Sequence, residues 1–133
     1  MKIAILTVIF CMVFCLVCGA SDTELNVIES GICTGVVDHA AVGVDEVFGR
    51  GVEKLYCFTR VLSPYLEGKE QYIEHVWYYQ GTERARIHLP VKSSSWGTYS
   101  SKIIQPFEVG DWHVDVLDPL GETIRVFQFF IKE

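Results

Sequence analysis

Four histidines, two cysteines outside the N-terminal segment and one hydroxyl-rich stretch around two aromatic rings carry the reactive groups of this sequence. His39, His75, His88 and His113 never repeat at ligand spacing. A metal centre would therefore have to be assembled across strands, with His39 or His113 joined by Asp38 or Asp115. The sequence has no G-x-S-x-G elbow, no H-E-x-x-H helix motif and no phosphate-binding loop. Gly49-Arg50-Gly51 is too short for a dinucleotide fingerprint and precedes a strand. Asp45-Glu46 is an adjacent acid pair in a connection, where carboxylates are usually solvated. The preferred reading is a non-enzymatic domain with no cofactor. The alternative is a metal-binding or hydrolytic protein using His75 or His113 with nearby acids.

The segment Ser93-Ser94-Ser95-Trp96-Gly97-Thr98-Tyr99-Ser100-Ser101-Lys102 is the strongest local candidate for ligand binding. Trp96 or Tyr99 would stack on a sugar or peptide while Ser100 and Lys102 hydrogen-bond it. Against this, Trp96 would plug one end of the fold, and the hydroxyls would satisfy a bent backbone. A second candidate face holds Tyr72, Glu74, Tyr78, Arg84, Arg86 and His88. Its competing explanation is a solvated sheet surface with ordinary cross-strand pairs. His75 stands between Ile73 and Trp77 on one side of a strand. It is either a pH-sensitive contact or, as we prefer, a buried ring bonded to backbone or a neighbouring hydroxyl.

These groups are positioned by strands. Runs rich in Val, Ile, Thr, Tyr, Phe and Trp alternate with turn signals, predicting strands near 31–37, 54–62, 71–79, 83–91, 98–104, 111–117 and 122–132. Residues 38–51 form a connection holding one irregular strand or turn around Val44-Asp45-Glu46-Val47. Two hairpins fix register. A three-residue loop, Gln80-Gly81-Thr82, would pair 79 with 83, placing Trp77 opposite Ala85, His75 opposite Ile87, Tyr78 opposite Arg84 and Val76 opposite Arg86. A turn at Asp118-Pro119-Leu120-Gly121 would set Asp115 against Arg125. The far end, Phe127 to Ile131, is apolar on both faces, implying a bulge or two-sided burial. About seven short strands with regular turns indicate an all-β, antiparallel immunoglobulin-like β-sandwich, with a small barrel as the other candidate. Trp77 and Trp112 should lie in its interior.

The N-terminus reads as an address. Lys2, the apolar run from Ile3 to Val17 and Cys18-Gly19-Ala20 before polar Ser21 match a secretory signal peptide. The rivals are a lipidated Cys18 or a retained anchor near the short limit for a span. Each puts the rest of the chain outside the cytoplasm, periplasmic or secreted, with membrane contact only through this segment. The expected organisation is 1–20 as leader, 21–30 as linker and 31–133 as one domain. Cys11, Cys15 and Cys18 belong to the leader, leaving Cys33 and Cys57 as a candidate disulfide or as two buried free thiols. The formal charge is −6, and losing Lys2 makes the remainder more acidic. Nucleic-acid binding, which needs clustered cations, is disfavoured. With 50% apolar and 13% aromatic residues the chain has ample surface to bury and is not a disordered tail. Partners would be an envelope protein or a glycan.

His75-Val76-Trp77-Tyr78, then Trp96-Gly97-Thr98-Tyr99-Ser100-Ser101-Lys102, then Gly110-Asp111-Trp112-His113-Val114-Asp115-Val116 ahead of Gly121 resemble the uncharacterised bacterial family known as domain of unknown function 2914. Phe58-Thr59 also fits its pattern, and the likeness covers roughly residues 52–131. In that family Trp96 is usually followed by Arg. Gly97 stands there in this chain, so a charge-based role does not carry over. The resemblance implies a bacterial extracytoplasmic domain and assigns no catalytic residue.

Overall fold

The computed structural model describes residues 25–64 and 70–133. The leader and its cleavage, lipidation or retention lie outside the described residues. Alternation of apolar and polar side chains produces ten strands among them: β1 (Asn26–Cys33), β2 (Gly35–Val37), β3 (Ala40–Val42), β4 (Val47–Gly49), β5 (Lys54–Leu62), β6 (Gln71–Tyr79), β7 (Thr82–Val91), β8 (Ser95–Ile103), β9 (Gly110–Leu117) and β10 (Thr123–Lys132). They form a three-stranded sheet ordered β1-β5-β8, a five-stranded sheet ordered β4-β10-β9-β6-β7, and the small β2-β3 hairpin. Pairing is antiparallel except between β4 and β10. The result is two stacked layers and not a closed barrel.

Three departures from the sequence reading have local causes. Residues 26–30, expected in a linker, are strand, because Asn26 to Cys33 pair along β5 and Leu25 is buried. The run 31–37 breaks at Thr34, where the chain leaves β5 and turns into β2. The β2-β3 hairpin turns through Asp38 and His39, both at positive φ (49° and 60°), the geometry of a two-residue primed turn. Asp38 and His39 were candidate metal ligands; here they are the turn itself, and the His39 carbonyl accepts a hydrogen bond from Arg60 at 2.9 Å.

The β6-β7 register holds from Gln71 to Trp77, with His75 opposite Ile87 and Trp77 opposite Ala85. Its turn is shorter than expected. Gln80 and Gly81 alone make it, both at positive φ, and Thr82 pairs with Tyr79. A bulge then puts Glu83, not Arg84, opposite Tyr78. In the β9-β10 hairpin the Gly121 N–H bonds the Asp118 carbonyl at 3.0 Å, and the Asp118 carboxylate caps the Leu120 and Glu122 N–H groups. A register shift between Thr123 and Arg125 moves Asp115 opposite Val126. Arg125 bonds the Val27 carbonyl instead, so the expected Asp115–Arg125 pair does not form. The irregularity thus lies beside the turn and not at the Phe127–Ile131 end. There Phe129 and Ile131 point inward while Phe130 is exposed.

The interior has two apolar halves. One gathers Ile32, Phe48, Leu55, Cys57, Trp77, Trp112, Val114, Phe129 and Ile131. Trp112 stacks on Phe129 at 5.8 Å, and Trp77 meets the same ring edge-on at 6.1 Å. The other half gathers Leu25, Val61, Ile73, Val91 and Val116, with Trp96 packed against it. As expected, the Trp77 and Trp112 side chains are fully enclosed.

Candidate functional site

Between the two apolar halves lies a polar layer. Alternation along β6 turns His75 inward, and both its neighbours in that direction are hydroxyls of the opposite sheet. His75 Nε2 lies 2.6 Å from Thr59 Oγ1, and Nδ1 lies 2.6 Å from Ser100 Oγ. The Trp77 indole N–H donates to the same Ser100 oxygen at 3.0 Å. Thr59, His75 and Ser100 are all sealed from solvent. Burial lowers the imidazole pKa to about 3, so the ring is neutral, donating from one nitrogen and accepting at the other. This is the hydroxyl-bonded, buried histidine that its place between Ile73 and Trp77 implied. A serine beside a histidine is also the start of a nucleophilic pair, but here the ring is sealed from solvent and, among the described residues, both its nitrogens are held by hydroxyls and not by a carboxylate. Ser100, expected to contact a ligand, is a structural group of the core.

The hydroxyl-rich stretch is not a loop. From Ser95 it is β8, an edge strand, and alternation divides its side chains between two faces. Trp96 packs on the apolar cluster around Val61 and Ile73, and Ser100 joins His75. Tyr99 points outward, half exposed, against Tyr56 at 5.8 Å. The Lys102 ammonium caps the Ile103 carbonyl at 2.9 Å. These four residues therefore do not form one site. The period-2 pattern Trp96, Thr98, Ser100 was the signal that separates them.

The outer face of the five-stranded sheet keeps its candidates together. Tyr78 and His113 face each other on β6 and β9 and stack at 4.5 Å, 11° between planes. Tyr72 and His88 meet at 4.3 Å on β6 and β7. Between the pairs, Arg86 bonds both Glu74 and Glu83 at 2.8 Å. The bond to Glu74 first, then that to Glu83, raises the guanidinium pKa further. His113 Nε2 is 3.8 Å from Asp115 Oδ1. Beside this array lies an open cleft of about 480 Å³ whose lining includes Glu46, Asp111, His113, Gln128 and Phe130. Glu46, Asp111, Gln128 and Phe130 were missed: the β9-β10 register set by the shift near the turn puts Gln128 opposite His113 and Phe130 opposite Asp111, and the parallel β4-β10 pairing brings Glu46 alongside, its carbonyl accepting the Phe130 N–H.

Arg84 leaves this face. The bulge turns it over the Tyr79 ring and onto Glu108, whose carboxylate it meets at 2.8 Å. Glu108 is buried, and its other oxygen accepts the Gln105 N–H at 2.9 Å. Its carbonyl receives the Trp112 indole N–H at 3.0 Å. Arg84 is thus a brace for the β8-β9 connection and not part of the candidate binding face.

Cys33 and Cys57 are free and buried. Of the two alternatives, free thiols are found, not the bridge: Cys33 pairs with Tyr56, the neighbour of Cys57, so the two side chains leave opposite faces of the β1-β5 pair. Burial raises both thiol pKa values, for Cys33 against hydrogen bonds with the Gly35 and Val42 backbone, and for Cys57 together with the nearby Cys33. Both stay protonated and are poor nucleophiles. Among the described residues no group of three His, Cys, Asp or Glu side chains converges as a metal site. Within the same residues no helix is long and apolar enough to cross a membrane.

Comparison with known proteins now bears on this geometry. Residues 70–131 match the family described as Protein of unknown function (DUF2914). The matched stretch runs from the start of β6 into β10 and contains every residue of the aromatic outer face. It begins later than the likeness read from the sequence, leaving β5 outside. No curated protein matches the chain. An immunoglobulin-like protein from Pseudomonas aeruginosa superposes with a TM-score of 0.53 at 12% identity, covering 85% of this chain and 100% of that one. A beta-glucosidase from Listeria innocua, solved in complex with glucose, also superposes with a TM-score of 0.53 at 12% identity. That match covers 83% of this chain and 16% of the enzyme. Identities this low speak for the fold alone. The matched stretch is part of an immunoglobulin-like β-sandwich.

Proposed function

We propose that the protein is an exported, non-enzymatic binding module of the bacterial envelope that recognises a glycan on the outer face of its five-stranded sheet. The observation that carries this reading is the Tyr78–His113 stack beside a cleft edged by Glu46, Asp111 and Gln128. Sugars are bound by aromatic rings that meet their C–H faces and by carboxylates and amides that take their hydroxyls. Tyr72, His88 and the Glu74–Arg86–Glu83 ion-pair cluster extend the same surface along β6 and β7. Export rests on the leader, with Ala20/Ser21 as the cleavage point. An envelope protein is the other partner class, favoured by the open edge of β8, which offers a strand for pairing.

The test is an array of envelope glycans probed with wild type and with a Tyr78→Ala/His113→Ala double variant. Wild type should bind a subset, and the variant should lose about tenfold or more in affinity with an unchanged unfolding temperature. An array without binding, joined to capture of an envelope protein by both forms alike, would end the glycan reading. Intact mass of the purified native protein checks export: a chain starting at Ser21 supports it, and one retaining Met1 without lipid counts against cleavage and lipidation.

A further inference from the structure

A second concavity lies at the end of the sandwich, away from the aromatic face. The loop 49–54 and the segment 103–106 enclose a groove of about 760 Å³ lined by Arg50, Glu53, Lys54, Ile103, Ile104 and Pro106. Ile103 is 59% exposed and neighbouring Phe107 is 70% exposed, so apolar side chains stand uncovered at this end.

The groove is held open by a strained turn. Glu53 has φ 64°, and the Lys54 N–H bonds the Val52 carbonyl at 2.7 Å, which makes a γ-turn of the rare positive-φ kind. Such backbone persists where surrounding structure enforces it, and it clusters at ligand sites. Here the Glu53 carbonyl is locked by the Ile104 N–H at 2.8 Å, tying the two walls together.

The chemistry of the walls selects the occupant. Their backbone groups are largely spent internally. The Gly49 carbonyl takes the Val52 N–H, the Ile103 carbonyl takes Lys102, and Gln105 gives its N–H to the Glu108 carboxylate. The Gln105 carbonyl accepts the Glu108 N–H, and Pro106 has no N–H to offer. A peptide strand would find few partners. The cations are another matter. Among the described residues Arg50 makes no ion pair or hydrogen bond, and the Lys54 ammonium meets only the Tyr56 ring, at 5.2 Å. Glu53 is the single acid lining the groove, so its net charge is positive in a chain of net charge −6.

We propose that this groove binds an acyl carboxylate, its hydrocarbon chain along the exposed Ile103 and Pro106, with Ile104 turned into the core behind them, and its anionic head between Arg50 and Lys54. An apolar chain needs no hydrogen bonds from the walls, and the carboxylate meets the unpaired cations, Arg50 with its two-pronged geometry. The experiment is a titration of the purified protein with decanoate, below its micelle concentration, followed by amide chemical shifts. Decanol serves as the neutral control and acetate as the control without a chain. Decanoate should saturate and shift the Lys54 and Ile104 amides, binding about tenfold or more tighter than either control. Arg50→Gln/Lys54→Gln should reduce decanoate to the level of decanol and leave the unfolding temperature unchanged, since both side chains are on the surface. Equal binding of decanoate and decanol, shifts confined to other parts of the chain, or no saturation would each overturn the proposal.

Discussion

A His75→Gln variant is expected to lose less stability in acid than the wild type, although it starts from a lower value at neutral pH. The folded imidazole stays neutral down to about pH 3, whereas in the unfolded chain it titrates near pH 6.5. Above pH 6.5 neither state is charged and the residue adds no pH dependence. As pH falls, the unfolded chain takes up a proton that the folded chain refuses. Stability drains at up to about 1.4 kcal/mol per pH unit until the folded ring is protonated as well. The difference between wild type and His75→Gln should therefore shrink by about that slope between roughly pH 6 and pH 4. At pH 7 the variant should be weaker by about 1–3 kcal/mol, because glutamine cannot serve Thr59 and Ser100 in the same geometry. Urea unfolding of both proteins at several pH values measures this. Parallel stability profiles would show that His75 titrates alike in the folded and unfolded chains.

The second large effect is expected at the brace between β7 and the β8-β9 connection. Replacing Arg84 by Met leaves the Glu108 carboxylate enclosed with, among the described residues, the Gln105 N–H as its one remaining charge-stabilising partner. Loss of one member of a fully buried pair costs about 3–5 kcal/mol. Arg84 is 37% exposed, so water recovers part of that, and about 2–3 kcal/mol is expected. Glu108→Gln keeps the shape and removes the charge, so in the Arg84→Met background it should restore part of the loss. A double-mutant cycle by urea unfolding gives the coupling. Additive effects would mean that the ion pair, though seen at 2.8 Å, contributes nothing beyond packing.

The same brace shows how far the sequence could be read. The strands from β5 to β10 follow from alternation and turn residues, and their expected bounds lie within a few residues of those observed. What alternation cannot show is a bulge. One extra residue beside Tyr78 sent Arg84 to Glu108, and a shift beside Ile124 parted Asp115 from Arg125. The first five residues of β1, 26–30, were read as linker and only 31–33 as strand, because 26–30 include Asn26, Glu29 and Ser30, polar groups of an edge strand that pairing with β5 orders. The β2-β3 turn escaped notice because Asp38-His39 takes positive φ without glycine. Of the candidate binding residues, Tyr72, Tyr78 and Arg86 share a face as expected: Tyr72 and Arg86 keep their expected register, and the bulge changes the partner of Tyr78 on β7 without turning its ring from that face. Trp96, Tyr99, Ser100 and Lys102 were grouped by proximity in the chain, and a strand disperses such neighbours by construction.

The hydroxyl–imidazole layer has a consequence for how the two sheets find each other. Aliphatic side chains are interchangeable enough that either sheet, lined only with them, would pack acceptably in several offsets. Moving β6 by one pleat repeat along β5 would bring the imidazole Nε2 opposite Cys57 or Val61 in place of the Thr59 hydroxyl, and its short hydrogen bond would be lost. Each stranded nitrogen or hydroxyl then costs about 1–3 kcal/mol. Thr59, His75 and Ser100 thus act as an alignment key, selecting one offset out of a nearly degenerate set, and neighbouring aliphatic positions are free to be repacked without losing it.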